Sequence, residues 1–272
     1  MKTHIKKQKT IFGQISYFKP GKSGTYSPGL SIIRLKKNGI TFESNKTEIF
    51  ILLLEGNIKI NLNDDKTNKY IFSRKNVFDE EASGLYVPPE TKISIQSLSD
   101  FSEAAICYSS ELQRGVNEAL NLQPRAFYKN DLQIKNVGKD TYERKVITIC
   151  GQNKETKTII IGETFSKGGN WSSYPPHKHE KNNPPYESKF KEIYYYRIKP
   201  DTGFAFQGLY SDISGNETAF LVRDGDAVFI SNGYHPVSSA PGYDLYYLWI
   251  LCGQNTELMW NVDKNHKWLN DK

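Results

Sequence analysis

The chain has 272 residues, which is enough for one large domain or two domains of ordinary size. Its net charge of +6 is spread along the chain without a block of like charges, which argues against a nucleic-acid-binding protein. It has no apolar run long enough to span a membrane, no secretory signal and only three dispersed cysteines, so we expect a cytoplasmic protein that binds no membrane.

Short strands with alternating hydrophobicity dominate the first half of the chain. An apolar run at 48–54 ends at Glu55-Gly56-Asn57 and is followed by an alternating run at 58–62, which predicts two strands joined by a turn. The spacing of the strands and turns is typical of an antiparallel sandwich or barrel. The other strands predicted in this half lie at 31–35, 40–43, 85–87 and 92–97.

The second half of the chain again shows short predicted strands, and a polar stretch separates it from the first half. Residues 113–138 are polar and contain Pro124, and we interpret them as a connection between two halves. The segments 53–56 and 85–89 are weakly similar in rhythm to 224–226 and 228–233, which suggests an internal duplication. We therefore predict an all-β chain with two small barrels. Strands are predicted at 144–150, 157–165, 192–198, 203–210, 218–221, 227–230 and 243–251.

The histidines point to one site in the second half, because no histidine occurs between residues 5 and 176. His177-Lys178-His179 follows two prolines, and on a strand residues i and i+2 point to the same face. Two neighbouring imidazoles suit a divalent metal when a carboxylate and a third imidazole complete the set. Glu192 opens a clear strand, and His235 lies in a glycine-containing turn. Two polar strand residues without a ligand are the alternative.

His-x-His, a glutamate at the start of the next strand and a later histidine after a turn resemble the motifs of the cupin superfamily. Twelve residues separate His179 from Glu192, where most cupins have three or four. With this insert and its flanking segments, 168–179 and 192–197, the chain resembles the 5-deoxy-glucuronate isomerase family, whose members are bicupins of myo-inositol catabolism. The resemblance covers nearly the whole chain and is most specific between 162 and 253.

The resemblance implies a domain organisation and a metal centre. A cupin-like barrel without a metal site is expected at 1–112, the connection at 113–138 and the metal-binding barrel at 139–272. The implied ligands are His177, His179, Glu192 and His235, and the implied ion is Zn²⁺ or Mn²⁺. Glu187 in the insert competes with Glu192, which we prefer because it begins a regular strand and occupies the matching place in the family pattern.

The activity that the resemblance implies is the conversion of 5-deoxy-glucuronate to 2-deoxy-5-keto-gluconate. This aldose–ketose isomerisation needs no redox cofactor, since one carbon is reduced as its neighbour is oxidised. The metal would act as a Lewis acid that acidifies the carbon-bound proton. The partner would be a small sugar acid, and a homo-oligomer is possible.

Other residues of the pocket are expected from strand alternation. Tyr194 and Tyr196 share the face of Glu192, so we predict Tyr196 as a catalytic residue and Tyr194 as substrate-binding, with filling of the barrel interior as the alternative. Arg144 is the candidate for the substrate carboxylate, ahead of Lys178, which alternates away from the histidines. Gln207 is a further substrate-binding candidate, and the proton-transfer base is not assigned.

Two other functions fit the same ligand set. A cupin dioxygenase would hold Fe(II) with open positions for oxygen, and would consume oxygen during turnover. A non-catalytic sugar-binding cupin would bind its ligand without turnover.

Overall fold

The computed structural model describes residues 3–8, 12–65, 69–113, 122–151, 155–212, 215 and 217–269. These residues form almost only β-structure, with 22 strands and three short 3-10 helices, at Lys129–Asp131, Asp140–Tyr142 and Lys264–Leu269. The strands are β1 (His4–Ile5), β2 (Gly13–Phe18), β3 (Gly29–Leu35), β4 (Gly39–Glu43), β5 (Ile49–Leu62), β6 (Lys69–Arg74), β7 (Gly84–Val87), β8 (Lys92–Ser97), β9 (Ser102–Tyr108), β10 (Arg125–Phe127), β11 (Gln133–Val137), β12 (Arg144–Cys150), β13 (Ile159–Ser166), β14 (Trp171–Ser172), β15 (His177–Lys178), β16 (Phe190–Lys199), β17 (Ala205–Tyr210), β18 (Glu217–Val222), β19 (Ala227–Ile230), β20 (Val237–Ser239), β21 (Asp244–Gly253) and β22 (Asn261–Val262). No helix among the described residues is long and apolar enough to cross a membrane.

The chain divides into two compact units. The N-terminal unit consists of Gln8–Leu132 and Ile149–Ile161, and the C-terminal unit of Met1–Lys7, Gln133–Thr148 and Gly162–Lys272. The predicted boundaries treat each barrel as one continuous stretch of chain, whereas each of these units combines separate stretches. The predicted connection at 113–138 contains β10 and β11, and its residues 114–121 lie outside the described part of the chain.

The N-terminal unit is built around β5, a single strand of 14 residues. The predicted turn at 55–57 is wrong. The pairing of β5 with β9 shifts register between Leu53 and Glu55, and Gly56 has a φ of +94°, which glycine adopts without a steric penalty. This bulge bends the strand, so that its first part pairs with β7 and its second part with β6 and β8.

Alternate residues of β5 belong to one core cluster of the N-terminal unit. Ile49, Ile51 and Leu53 are buried before the bulge, and Ile58 and Ile60 are buried after it. Burial of each such side chain contributes about 1.5–3 kcal/mol relative to exposure.

The C-terminal unit has three antiparallel sheets. The largest has the order β1-β19-β16-β21-β13-β12-β11, a second has the order β14-β20-β17-β18, and β15 pairs with β22. Strand β16 is central in the largest sheet, where Glu192 lies opposite Ile230 of β19 and Leu251 of β21. Pairing on both sides fixes the direction in which the side chains of β16 point.

Candidate metal centre

The four predicted ligands come from three places in the C-terminal unit. His177 lies on β15 and His179 just after it, Glu192 lies on β16, and His235 lies in the turn between β19 and β20. The turn depends on Gly233, which has a φ of +86°, and a Cβ at this position would lie 2.6 Å from the Tyr210 carbonyl oxygen. Only glycine fits this turn without strain.

Three of the four side chains form a compact, buried group. One ligand atom each from His179, Glu192 and His235 lies within 4.8 Å of the others. Glu192 Oε2 is 3.1 Å from His179 Nε2 and 3.4 Å from His235 Nε2. His177 lies beside this group, with its ring centroid 4.9 Å from that of His235. Two imidazoles and a carboxylate at this separation suit one divalent ion.

Backbone carbonyls orient the imidazoles. His179 Nδ1 donates to the Phe190 carbonyl over 3.2 Å, and His235 Nδ1 donates to the Gly233 carbonyl over 3.0 Å. Each ring is thereby held with its Nε2 atom facing Glu192. His235 Nε2 is buried and makes no hydrogen bond within the described part of the chain. A buried acceptor without a donor fits a bound cation.

The protonation of the histidines differs across the site. Burial, aided by the charge of a neighbouring imidazole, lowers the pKa of His177 and of His235 to about 3. Burial also opposes the charged form of His179, but its hydrogen bond to Glu192 and the charge of that carboxylate outweigh burial and raise its pKa. His177 and His235 are therefore neutral at pH 7, the form in which imidazole binds metals.

Glu187, the competing carboxylate, lies outside the compact group. Its Oε1 accepts hydrogen bonds from the backbone amides of Glu180 and Lys181 over 2.7 and 2.9 Å, and its Oε2 accepts one from Asn261 Nδ2 over 3.2 Å. The side chain is buried, so these three donors satisfy a carboxylate that water does not reach.

The two predicted tyrosines lie next to each other on β16, with ring centroids 6.2 Å apart. The Tyr194 ring is 5.9 Å from that of His235, and its hydroxyl shares a hydrogen bond of 2.8 Å with Ser173. The Tyr196 hydroxyl donates to Gln207 Oε1 over 2.5 Å. Tyr194 is therefore the tyrosine in ring contact with a predicted ligand.

Gln207 supports the turn that carries His235. Its Nε2 donates to the carbonyls of His235, Pro236 and Gly208 over 3.0, 3.2 and 2.6 Å. Both ends of the amide are thus engaged within the protein, which gives Gln207 a role in holding the ligand turn. Substrate binding by Gln207 stays a prediction.

The two candidate cations have different surroundings. Arg144 is half-buried and donates to the Tyr142 carbonyl over 3.0 Å, and burial lowers the pKa of its guanidinium. Lys178 is buried and points away, since its Nζ lies 2.8 Å from Glu180 and 2.7 Å from Asp212. Because Lys178 is paired with two carboxylates, Arg144 stays our candidate for binding the substrate carboxylate.

Sequence reasoning missed two aromatic residues of this region. Tyr247 lies opposite Tyr196 on β21, 4.5 Å from the Tyr194 ring, and shares a hydrogen bond with Ser172. Tyr247 could have been found from the sequence by the alternation of side chains along β21. Trp260 lies 5.9 Å from the His177 ring, and this contact depends on the pairing of β22 with β15, for which the sequence has no local signal.

Comparisons with known proteins bear on the whole chain. A family model described as the KduI/IolB family matches residues 3–269. A protein of Geobacillus thermodenitrificans named 5-deoxy-glucuronate isomerase is 31% identical over 259 residues, covering 94% of this chain and 91% of the relative. The crystal structure of an IolB-like protein from Salmonella typhimurium has a TM-score of 0.87 at 25% identity, and the match covers 99% of this chain and 100% of that one.

A variant of oxalate decarboxylase from Bacillus subtilis shares the fold more distantly. Its TM-score is 0.57 at 14% identity, with 91% of this chain and 79% of that chain covered. Together with the strand content, these likenesses confirm the predicted all-β fold with two cupin-like barrels. The chain belongs to the KduI/IolB family.

Proposed function

We propose that this chain is a metal-dependent isomerase of inositol catabolism that acts in the cytoplasm. It converts 5-deoxy-glucuronate, the compound in the name of its relatives, into 2-deoxy-5-keto-gluconate. The observation that carries the metal dependence is the buried group of His179, Glu192 and His235, in which the Nε2 atoms of the two imidazoles lie 3.1 and 3.4 Å from one carboxylate oxygen. His177 is the fourth ligand, and the ion is Zn²⁺ or Mn²⁺.

The residues present fit such an ion, since His235 Nε2 is buried without a hydrogen bond in the described structure. When bound, the ion would polarise the aldehyde and lower the pKa of the neighbouring C–H group. The three imidazoles and the carboxylate would hold the ion, which would supply Lewis-acid chemistry to the substrate oxygens.

The surrounding side chains orient the substrate. Arg144 binds the carboxylate at the end of the sugar acid away from the reacting aldehyde, because a guanidinium matches the geometry of a carboxylate. Tyr194 contacts His235 and presents its hydroxyl beside Ser173, where a substrate oxygen can take part in the hydrogen bonding. Tyr196 stays our prediction for proton relay, and its bond to Gln207 fixes the position of its hydroxyl.

The experiment that tests this function is an NMR assay of the metal-loaded protein with 5-deoxy-glucuronate in deuterated water. We expect the aldehyde signal to be replaced by that of a hydroxymethyl group, and the amount of solvent deuterium in that group reports how far the base exchanges the abstracted proton with water. The His235→Ala variant serves as the control without turnover. Absence of turnover would contradict the proposal, and oxygen consumption in proportion to turnover would identify a dioxygenase instead.

A further inference from the structure

Trp260 is a large apolar side chain that lies exposed beside the metal centre. Its side chain is 54% exposed, and its ring centroid is 5.9 Å from that of His177, with the two planes inclined by 44°. Indole rings are usually well buried, because each carries a large apolar surface. One part of this ring packs on a predicted ligand, and the remainder is open to a molecule that binds there.

The backbone around Trp260 is held on both sides. Before it, the Met259 amide donates to Ser188 Oγ over 2.7 Å, and the Ser188 amide donates to the Met259 carbonyl over 3.0 Å. After it, Asn261 binds Glu187, and the Asp263 amide donates to the Pro176 carbonyl over 2.9 Å. The exposed indole is thus carried by an anchored segment, as a binding residue requires.

The long insert between His179 and Glu192 supplies part of this anchor. Glu187 and Ser188 both belong to it, and Glu187 also caps the backbone amides at 180 and 181. The insert therefore holds the segment of Trp260 against the strand that carries His177, where β22 pairs with β15.

We propose that Trp260 is a specificity-determining residue, whose exposed face packs against the C5 methylene group of the deoxy sugar acid. The inference rests on the proposed function. C–H groups, whose hydrogens carry a partial positive charge, are attracted to the negative face of an indole. A hydroxyl at C5, as in glucuronate, would lose its hydration against this face without gaining a hydrogen-bond partner. Trp260 thereby favours the deoxy substrate.

The test compares Trp260→Ala and Trp260→Phe with the wild type on two substrates, 5-deoxy-glucuronate and glucuronate. We expect the ratio of their kcat/KM values to fall about tenfold in Trp260→Ala, the low end of what one apolar contact contributes to selectivity. For 5-deoxy-glucuronate, the change should be in KM more than in kcat, and the metal content should be unchanged. The ratio for Trp260→Phe should lie between those of the wild type and Trp260→Ala. Tyr186→Ala is the control, since Tyr186 is a 70% exposed aromatic residue of the same insert.

A ratio unchanged in both Trp260 variants, in a wild type that isomerises 5-deoxy-glucuronate, would overturn the role of Trp260 and leave the proposed function standing. A wild type that fails to isomerise it would overturn both. If Trp260→Ala does not fold, Trp260→Phe decides, because a phenyl ring keeps the packing on His177. A ratio that falls equally in Tyr186→Ala would also contradict the proposal.

Discussion

At the scale of single residues, the site contains two carboxylates that the sequence alone leaves in competition. Glu192 faces two imidazoles, whereas Glu187 accepts two backbone amides and one side-chain amide. The same chemical group therefore has two different tasks at positions 187 and 192, and substitution by glutamine separates them.

We predict that Glu192→Gln and Glu187→Gln affect different properties. Glu192→Gln should lower metal affinity more than about 100-fold, because it removes the only charged ligand, and outer-shell changes alone cost 10–100-fold. Glu187→Gln should keep the metal but lower the free energy of unfolding by about 1–3 kcal/mol, since one amide oxygen cannot serve three donors. Metal content and urea unfolding measure both, and the reverse pattern would assign the ligand to Glu187.

Arg144→Ala should weaken the binding of the substrate carboxylate. Loss of a hydrogen bond to a charged group costs about 1.5–3 kcal/mol, or roughly 10- to 150-fold in kcat/KM. Arg144→Lys should recover only part, because a lysine cannot form the bidentate pair. The methyl ester of the substrate is the control, and an equal loss on the ester would show that Arg144 does not bind the carboxylate.

At the scale of elements, the N-terminal strand β1 extends the largest sheet of the C-terminal unit by pairing with β19. Asp224 secures this region. Its Oδ2 accepts from Lys7 Nζ over 2.7 Å, and its Oδ1 accepts from Arg197 Nε over 2.9 Å and from the Ile198 amide over 3.2 Å. Burial alone would raise the pKa of Asp224, but the two cations and these hydrogen bonds outweigh it and lower the pKa.

Asp224→Asn should therefore destabilise the protein in a pH-dependent way. A carboxyl whose pKa is lowered in the folded state contributes stability above its unfolded pKa of about 3.9 and loses it as the pH falls through the folded value. We expect a loss of about 1–3 kcal/mol at pH 7 that shrinks in acid, measured by urea unfolding. Asp201→Asn, at an exposed position, is the control. A loss that is the same at every pH would mean that packing, not charge, is responsible.

Three of the predicted strands have the bounds of observed strands. Residues 92–97, 144–150 and 227–230 coincide with β8, β12 and β19. At 55–57, the sequence predicted a turn where the structure has a bulge. Gly56 has a positive φ in this bulge, and glycine is also the residue that turns with a positive φ favour. The two-residue strands β14 and β22 were missed, since strands this short have no periodicity of their own.

At the scale of the whole molecule, the N-terminal unit takes in a segment from later in the chain, Ile149–Ile161. Glu48 holds it, because this buried carboxylate accepts from the amides of Lys157 and Thr158 over 2.5 and 2.9 Å, and from Thr158 Oγ1 over 2.7 Å. The hydroxyl of Tyr86 is a further donor to Glu48, over 2.9 Å.

Glu48→Gln should lower the free energy of unfolding by about 2–4 kcal/mol, because four donors to buried oxygens would meet a single amide oxygen. Thermal and urea unfolding measure this loss, and Glu43→Gln at an exposed position of β4 is the control. A loss below 0.5 kcal/mol, the ordinary range for a surface substitution, would contradict a role for Glu48 in holding the segment.

The sequence revealed those parts of the site that lie close together along the chain. His-x-His has a recognisable spacing, and Glu192 opens a regular strand. The supporting contacts were not predictable, since those of Gln207 with His235 and of Trp260 with His177 join residues 28 and 83 positions apart. Such pairs depend on strand pairing, which single-sequence patterns do not specify.

The central claim, that one divalent ion is held by His177, His179, Glu192 and His235, is tested most directly by anomalous diffraction from crystals of the Mn²⁺-loaded protein at the manganese edge. We predict one strong peak per chain in the C-terminal unit, about 2.0–2.3 Å from the three Nε2 atoms and one oxygen of Glu192. A peak at any other set of residues, or no peak at full Mn²⁺ loading, would contradict the account.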